Sequence, residues 1–362
     1  MGLMDDTGSA KETDLGRAAP KVVPYVLRDS KVVIVGEAPG QSEEREGRPF
    51  VGESGKLLER MMQDAGMNLH QCSILNVLTE RPPQNKIDFF YRSKKDLPDD
   101  YDFQKYPQVA YGKYLSPEVL HYVEQVRQTV LDLKPNLILA LGNTALWAFT
   151  GLYGIAKARG TVHDTKYGKL IPLYHPAAVI RQWALRPICV ADFMKAHHEA
   201  KFPEVRRPRR HLLIRPTLSE IYEFERLYLT RTPFRSFDIE TQAGQITCIS
   251  IAPTPDRSLC IPLYDREKPD GNYWSLDDER VVWKWVRDQL TADGITRLAQ
   301  NGLYDIQYLA KQGVLIPMLE EDTMLLHHAM YPELKKGLGF LASIYTNELS
   351  WKHMLKEAKK EK

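Results

Sequence analysis

The chain has 362 residues, 43% of them hydrophobic, and a formal net charge of +2. That length supports roughly two domains with separate cores. So small a charge names no partner class and leaves any nucleic-acid surface to local clusters of Lys and Arg. No apolar run is long enough to cross a bilayer, and residues 1–30 carry no signal-peptide pattern. Cys72, Cys189, Cys248 and Cys260 are scattered without CxxC pairing. The expectation is a cytoplasmic protein with no membrane partner and with reduced, buried cysteines.

After an N-terminal extension over residues 1–30, the apolar run Val32-Val33-Ile34-Val35 reads as a buried strand. Two loops follow it, Gly36-Glu37-Ala38-Pro39-Gly40 and Gly47-Arg48-Pro49-Phe50-Val51-Gly52, at the strand end where open α/β sheets bind ligands. Leu57, Leu58, Met61 and Met62 predict a helix over 56–65 that stops at Gly66. A second strand over 72–77 delivers Asn76 to the same sheet edge. From Arg81 to Leu115 the chain is polar and aromatic; its rings either stack on unpaired nucleotides or pack on one another. A helix over 118–133 and a strand over 136–141 come next, then a helix capped by Asn143 or Thr144. The strand over 170–174 ends in His175-Pro176. Strands alternating with helices predict an α/β domain, a mainly parallel sheet with helices on both faces.

Three signatures occur in order: Gly36-Glu37-Ala38-Pro39-Gly40 with Gly47-Arg48-Pro49-Phe50, Asn76 with Arg81-Pro82-Pro83, and His175-Pro176 with Arg181. On these, residues 31–200 resemble the uracil-DNA glycosylase superfamily, closest to its family-4 branch. The resemblance implies a three-layer α/β/α domain that extrudes a nucleotide, holds its base flat and stabilises charge on the departing ring. Glu37 and His175 become the catalytic pair: Glu37 orients water or offsets charge on the sugar, and His175 donates to the leaving ring's carbonyl oxygen. Gly36, Ala38, Phe50 and Asn76 become the uracil pocket, with Phe50 the stacking face and Asn76 the amide that prefers uracil over cytosine. Gly36 and Gly40 allow the close backbone approach of a flipped nucleotide. Arg81, Asn85 and Arg181 become DNA contacts. Family-4 enzymes hold an iron-sulfur cluster on four cysteines. Here Glu80 stands at one of those positions and no cysteine stands at the others, so no iron-sulfur cluster is expected. Ala38 stands where another branch has a water-activating Asp, which leaves catalysis to Glu37 and to leaving-group stabilisation.

A basic, proline-punctuated stretch over 201–215, containing Arg207 and Arg210, reads as a linker able to touch phosphates. Strands over 211–214, 246–251 and 259–263 and a helix over 218–229 are expected beyond it. In the strand Pro233 to Thr241, Asp238 and Glu240 share one face. Asp305, on a helix after an apolar turn near Leu298, projects toward them, and three such carboxylates suit divalent cations. Asp238-x-Glu240 and Asn301-x-x-x-Asp305 resemble the first two motifs of the 3'-5' exonuclease domain of family-A DNA polymerases. That resemblance implies a ribonuclease H-like domain over 216–362 and a Mg²⁺ or Mn²⁺ site on Asp238, Glu240 and Asp305. The family's third motif, a Tyr-x-x-x-Asp expected after Trp351, is absent, so the domain reads as incomplete at its C-terminus and its nuclease activity as weak. Asp322 reads as a helix cap.

Together these readings predict a DNA repair or replication protein that excises uracil, or a non-excising uracil- or template-DNA-binding front end of a phage polymerase. The implied partners are uracil-containing DNA, single-stranded or primer-template DNA, and a family-A polymerase domain in the same or another chain, and the implied setting is the cytoplasm of a bacterial or phage-infected host cell.

Overall fold

The structure is a computed structural model that describes residues 22–348. Its residues group into two compact units, the second being Arg206–Thr346 and the first taking the described residues before it together with 347–348. No helix among the described residues is long and apolar enough to cross a membrane.

The first unit runs β1 (Val32–Gly36), α1 (Gln41–Glu46), α2 (Glu53–Asp64), β2 (Ser73–Asn76), β3 (Tyr91–Arg92), β4 (Tyr114–Leu115), α3 (Leu120–Leu133), β5 (Leu137–Leu141), α4 (Asn143–Thr150), α5 (Ile155–Ala158), β6 (His163–Thr165), β7 (Gly168–Leu173), α6 (Pro176–Arg181) and α7 (Arg186–Glu199). Its main sheet has the order β2-β1-β5-β7-β6, parallel except for β6. Strand alternation divides β1 between two cores. Val33 and Val35 pack with Tyr122, Val123 and Val126 of α3 and with Trp147 of α4. Val32 and Ile34 pack with Leu58, Met61 and Met62 of α2 and Phe193 of α7. Both faces of the parallel sheet are therefore covered, which is the three-layer α/β/α arrangement.

Residues 81–115 pack on themselves. Tyr101, Phe103, Tyr106 and Tyr114 form a ring cluster with centroids 5.0–6.1 Å apart, and the Tyr101 hydroxyl donates to the Leu115 carbonyl at 2.9 Å. These rings are core, whereas Phe89 and Tyr111 stay exposed. The expected cap at the start of α4 is also corrected. Gly142 occupies that position at φ 91 and no side chain caps the helix. Asn143 instead donates to the Val109 carbonyl and accepts from the Gly154 N–H, while Thr144 turns toward Glu37.

The second unit runs β8 (His211–Ile214), α8 (Leu218–Leu227), β9 (Phe234–Gln242), β10 (Gln245–Thr254), β11 (Arg257–Pro262), α9 (Leu276–Thr291), β12 (Thr296–Ala299), α10 (Leu303–Lys311), β13 (Glu321–Asp322), α11 (Thr323–Met330) and α12 (Leu338–Tyr345). The sheet order is β13-β12-β9-β10-β11-β8. An antiparallel meander, β9-β10-β11, is extended on the β9 side by parallel β12 and β13. Apart from β8 at the far edge, this is the ribonuclease H-like topology. Leu298 lies in β12 rather than in a turn. Phe237 and Ile239 enter the core with Trp285 and Val286 of α9, which leaves Asp238 and Glu240 on the opposite, exposed face.

Candidate active site

In the first unit the parallel strands bring their C-terminal ends to one edge, where a cleft of ≈ 840 Å³ opens. Glu37, Ala38, Phe50, Asn76, His175 and Arg181 all line it, together with Asn85. Gly36 and Asn76 are register partners at the ends of β1 and β2. A Cβ on Gly36 would lie 2.4 Å from Asn76 Oδ1 and 2.8 Å from Phe50 Cζ. Glycine is needed here to seat those two side chains, a requirement that comes from Asn76 and Phe50 themselves. Gly40 is similar, since its Cβ would meet Glu43 Oε2 at 2.7 Å.

Phe50 adopts φ 55, a left-handed conformation that costs a non-glycine residue about 1–3 kcal/mol. Its ring centroid lies 5.8 Å from that of His175. A Cβ on Gly55 would lie 1.7 Å from the Phe50 carbonyl oxygen, so α2 can pack under the strained residue only with glycine there. Asn76 is 9% exposed. Its Oδ1 is buried with no hydrogen-bond partner, a costly condition for an amide oxygen and one that a ligand N–H would relieve.

His175 caps α6, its Nδ1 accepting the Ala177 N–H at 3.2 Å. The ring proton of the neutral form therefore sits on Nε2. Burial, helped by the Arg181 charge, pushes the His175 pKa down to about 4, so the ring is neutral near pH 7. Glu37 is shifted the other way. Burial raises its pKa, the hydrogen bond from Thr144 lowers it, Asp88 raises it and Arg181 lowers it. Thr144 Oγ1 lies 2.5 Å from Glu37 Oε2.

Several residues that the sequence did not assign to the site support the cleft or its rim. Glu43 accepts from Gly40 N at 3.1 Å and from Gly52 N at 2.9 Å, tying the two glycine loops together. Its signal was the Gly40-x-x-Glu43 spacing, which places an N3 glutamate to accept the N-cap N–H, one half of a capping box. Thr144 and Tyr91 reach Glu37 through long-range contacts that no local pattern announces. Trp183, just past α6, is 62% exposed with the Arg186 guanidinium over its ring at 5.6 Å.

Arg81 and Asn85 bind each other, Nε to Oδ1 at 2.6 Å, and Arg81 also pairs with Glu44 at 3.0 Å. They brace the Pro82-Pro83 loop at the rim. Arg181 is exposed at the end of α6. In the second unit Arg207 is exposed, and Arg210 donates to the Pro255 carbonyl at 3.3 Å.

The residues do not fit an iron-sulfur cluster. Glu80 accepts a hydrogen bond from the Tyr122 hydroxyl. Cys72 and Cys189 lie in the core on the α2 and α7 side, and burial pushes both thiols up to about 12, away from the thiolate a cluster requires.

The second unit holds its carboxylates where β9 runs past β12. The two strands pair only through Phe234–Ser236 of β9, so the Ile239 N–H is left without a strand partner on that side, and Asp305 Oδ1 takes it at 2.9 Å. Burial, then Asp305, then Glu240 raise the Asp238 pKa to about 6. Three mutually repelling carboxylates offer the hard oxygen donors that suit Mg²⁺ or Mn²⁺. No set of three His, Cys, Asp or Glu side chains among the described residues converges at ligand distance; the fit to a cation rests on the mutual repulsion and hard oxygen donors of Asp238, Glu240 and Asp305. Asp322 is not available to it. Its oxygens accept the N–H groups of Asn301, Gly302 and Met324, as a helix cap. The segment after Trp351, where the third exonuclease motif was expected, lies outside the described residues.

The family model for the uracil DNA glycosylase superfamily matches residues 23–198. The chain is 33% identical over 197 residues to a type-4 uracil-DNA glycosylase of Archaeoglobus fulgidus, spanning 52% of this chain and 86% of that protein. It is 34% identical over 173 residues to a type-4 enzyme of Thermotoga maritima, spanning 46% of this chain and 77% of that one. The DNA polymerase of Bacillus phage SP01 is 21% identical over 330 residues, 83% of this chain but 32% of the polymerase. Among solved structures, the Aedes aegypti Nibbler EXO domain matches with a TM-score of 0.31 at 14% identity, covering 40% of this chain and 73% of that domain. The chain belongs to the uracil-DNA glycosylase superfamily, its first unit a glycosylase domain of the type-4 kind that is followed by a ribonuclease H-like domain.

Proposed function

We propose that the cleft of the first unit binds a uracil flipped out of DNA and hydrolyses its N-glycosidic bond, with Asn76 reading the base. The observation that carries this is the buried, unpartnered Oδ1 of Asn76 beside the Phe50 ring. Uracil offers an N3–H to that oxygen and a carbonyl at position 4 to the amide N–H. Cytosine offers an acceptor and a donor in those places, so both contacts become repulsive.

Phe50 supplies a face for the base, and the fixed tautomer of His175 aims an N–H at the carbonyl oxygen where negative charge grows as the bond breaks. Because His175 is neutral, the departing ring leaves as an anion held by a hydrogen bond rather than by prior protonation. Glu37 faces the sugar side, where it orients the attacking water or offsets positive charge building at the sugar carbon. Arg181 at the rim supplies a phosphate contact; Arg81 and Asn85 keep the neighbouring loop in place.

In the second unit, Asp238, Glu240 and Asp305 would hold Mg²⁺ or Mn²⁺, which when bound polarises a phosphodiester and supplies a nucleophilic water. Arg207 and Arg210 add positive charge for the DNA backbone. The whole chain then acts on uracil-containing, single-stranded or primer-template DNA, alongside a polymerase domain in the same or another chain. The second assignment rests on the carboxylate cluster and on the phage polymerase similarity.

The pocket reading is tested by Asn76→Asp. On matched oligonucleotides carrying one uracil or one cytosine, the variant should lose uracil preference; unchanged discrimination would remove Asn76 from base reading.

A further inference from the structure

We propose that Thr144 and Tyr91 form a hydroxyl relay that fixes the orientation of Glu37, making Thr144 a positioning residue for excision and residues 81–115 part of the active site. The inference rests on the excision reading above and adds to it the groups that aim the carboxylate.

The direction of the relay follows from proton counting. An ionised Glu37 can only accept, so the Thr144 hydroxyl, 2.5 Å away, donates its single proton to Oε2. Thr144 Oγ1 then has only lone pairs to offer Tyr91, whose hydroxyl lies 3.4 Å from it. Tyr91 is therefore the donor, and the chain runs from Tyr91 through Thr144 to Glu37. Thr144 engages Oε2 of Glu37, and Tyr91 stands behind Thr144, while Glu37 itself lines the cleft. The Thr144 side chain is wholly buried in the first turn of α4, and Tyr91 is half-buried on β3. Neither position is governed by its neighbours in sequence. Thr144 is 107 residues from Glu37 and 53 from Tyr91.

This gives the 81–115 segment a function beyond packing. Its ring cluster and the β3–β4 pair hold Tyr91 at the far end of the relay. The other charges acting on Glu37 are Asp88, from the same segment, and Arg181, from α6. Asp88 disfavours the ionised carboxylate and Arg181 favours it. The Thr144 hydrogen bond acts with Arg181, and among these groups it alone holds a named oxygen of the carboxylate, Oε2.

The test uses Thr144→Val, which keeps the shape and removes the donor, beside Thr144→Ser, which restores it, and Tyr91→Phe. For Thr144→Val the expected result is a fall in kcat of about tenfold with little change in KM. The acid limb of the pH–rate profile should move to higher pH, because the lost hydrogen bond favoured the ionised form. Thr144→Ser should return both, and Tyr91→Phe should move both by less. Carboxyl titration of Glu37 by NMR in the full chain reads the same shift without turnover. A shift in a protein that never excises uracil would sink the function and leave the relay standing. An unmoved Glu37 titration in Thr144→Val, or a Ser variant as impaired as the Val variant, would overturn the relay.

Discussion

Gly36 and Asn76 face each other at the ends of two parallel strands, and a Cβ on Gly36 would lie 2.4 Å from the Asn76 amide oxygen. One missing methyl group thus lets an asparagine and a phenylalanine share the floor of the cleft. Gly36→Ala should leave the fold in place at a cost of about 1–3 kcal/mol from overpacking. It should also lower uracil excision by about a hundredfold, because Asn76 and Phe50 are both displaced. Thermal melting beside an excision assay separates the two effects.

In the proposed reaction His175 acts as a neutral donor. With its pKa pushed down to about 4, its titration should leave no inflection in excision rate around the usual histidine value of about 6.5. His175→Gln, which can present an N–H near the Nε2 position, should retain about tenfold more activity than His175→Ala. An inflection near the ordinary histidine value that disappears in both variants would mean that the ring works as a cation.

The carboxylates of the second unit should make it more stable in acid than simple surface acids would. Raised to about 6 by burial, Asp305 and Glu240, Asp238 binds its proton more tightly in the folded state than in the unfolded one. Its ionisation therefore costs nothing below the unfolded pKa of about 3.9, and the penalty grows to its full size as pH rises through the folded value of about 6. Asp238 is exposed, so after solvent screening Asp238→Asn should stabilise the unit near neutral pH by no more than about 1 kcal/mol. Mg²⁺ or Mn²⁺ should raise the melting temperature of the wild type and not of the variant.

Glu80 and Tyr122 occupy, with a hydrogen bond, the neighbourhood in which the type-4 resemblance would place a cluster cysteine. Exhaustive chelation should leave uracil excision unchanged, and the purified protein should lack the visible absorption of an iron-sulfur centre. Loss of excision on chelation, restored by iron and sulfide, would contradict this.

The sequence revealed the strand ends and the acids on strands most clearly. Val32 to Val35, Asn76 and His175 follow from apolar runs that stop at a polar residue, and Asp238 and Glu240 follow from a period of two. Purely local readings fared worse wherever a distant partner set the outcome. Thr144 looked like a helix cap, but Glu37 takes its hydroxyl; Leu298 looked like a turn, but pairing with Ser236 and Glu321 makes it strand. The glycines were recognised, yet the side chains that need their space, Asn76, Phe50 and Glu43, come from other segments or from a later turn.

The most direct test of the account is incubation of the full chain with an oligonucleotide carrying one uracil, followed by mass-spectrometric detection of free base and by alkali. The expected result is free uracil in step with alkali-dependent cleavage at that position, and neither product from Asn76→Ala. Tight binding of the oligonucleotide with no free uracil, even at excess protein, would contradict it and leave a pocket that reads uracil without excising it.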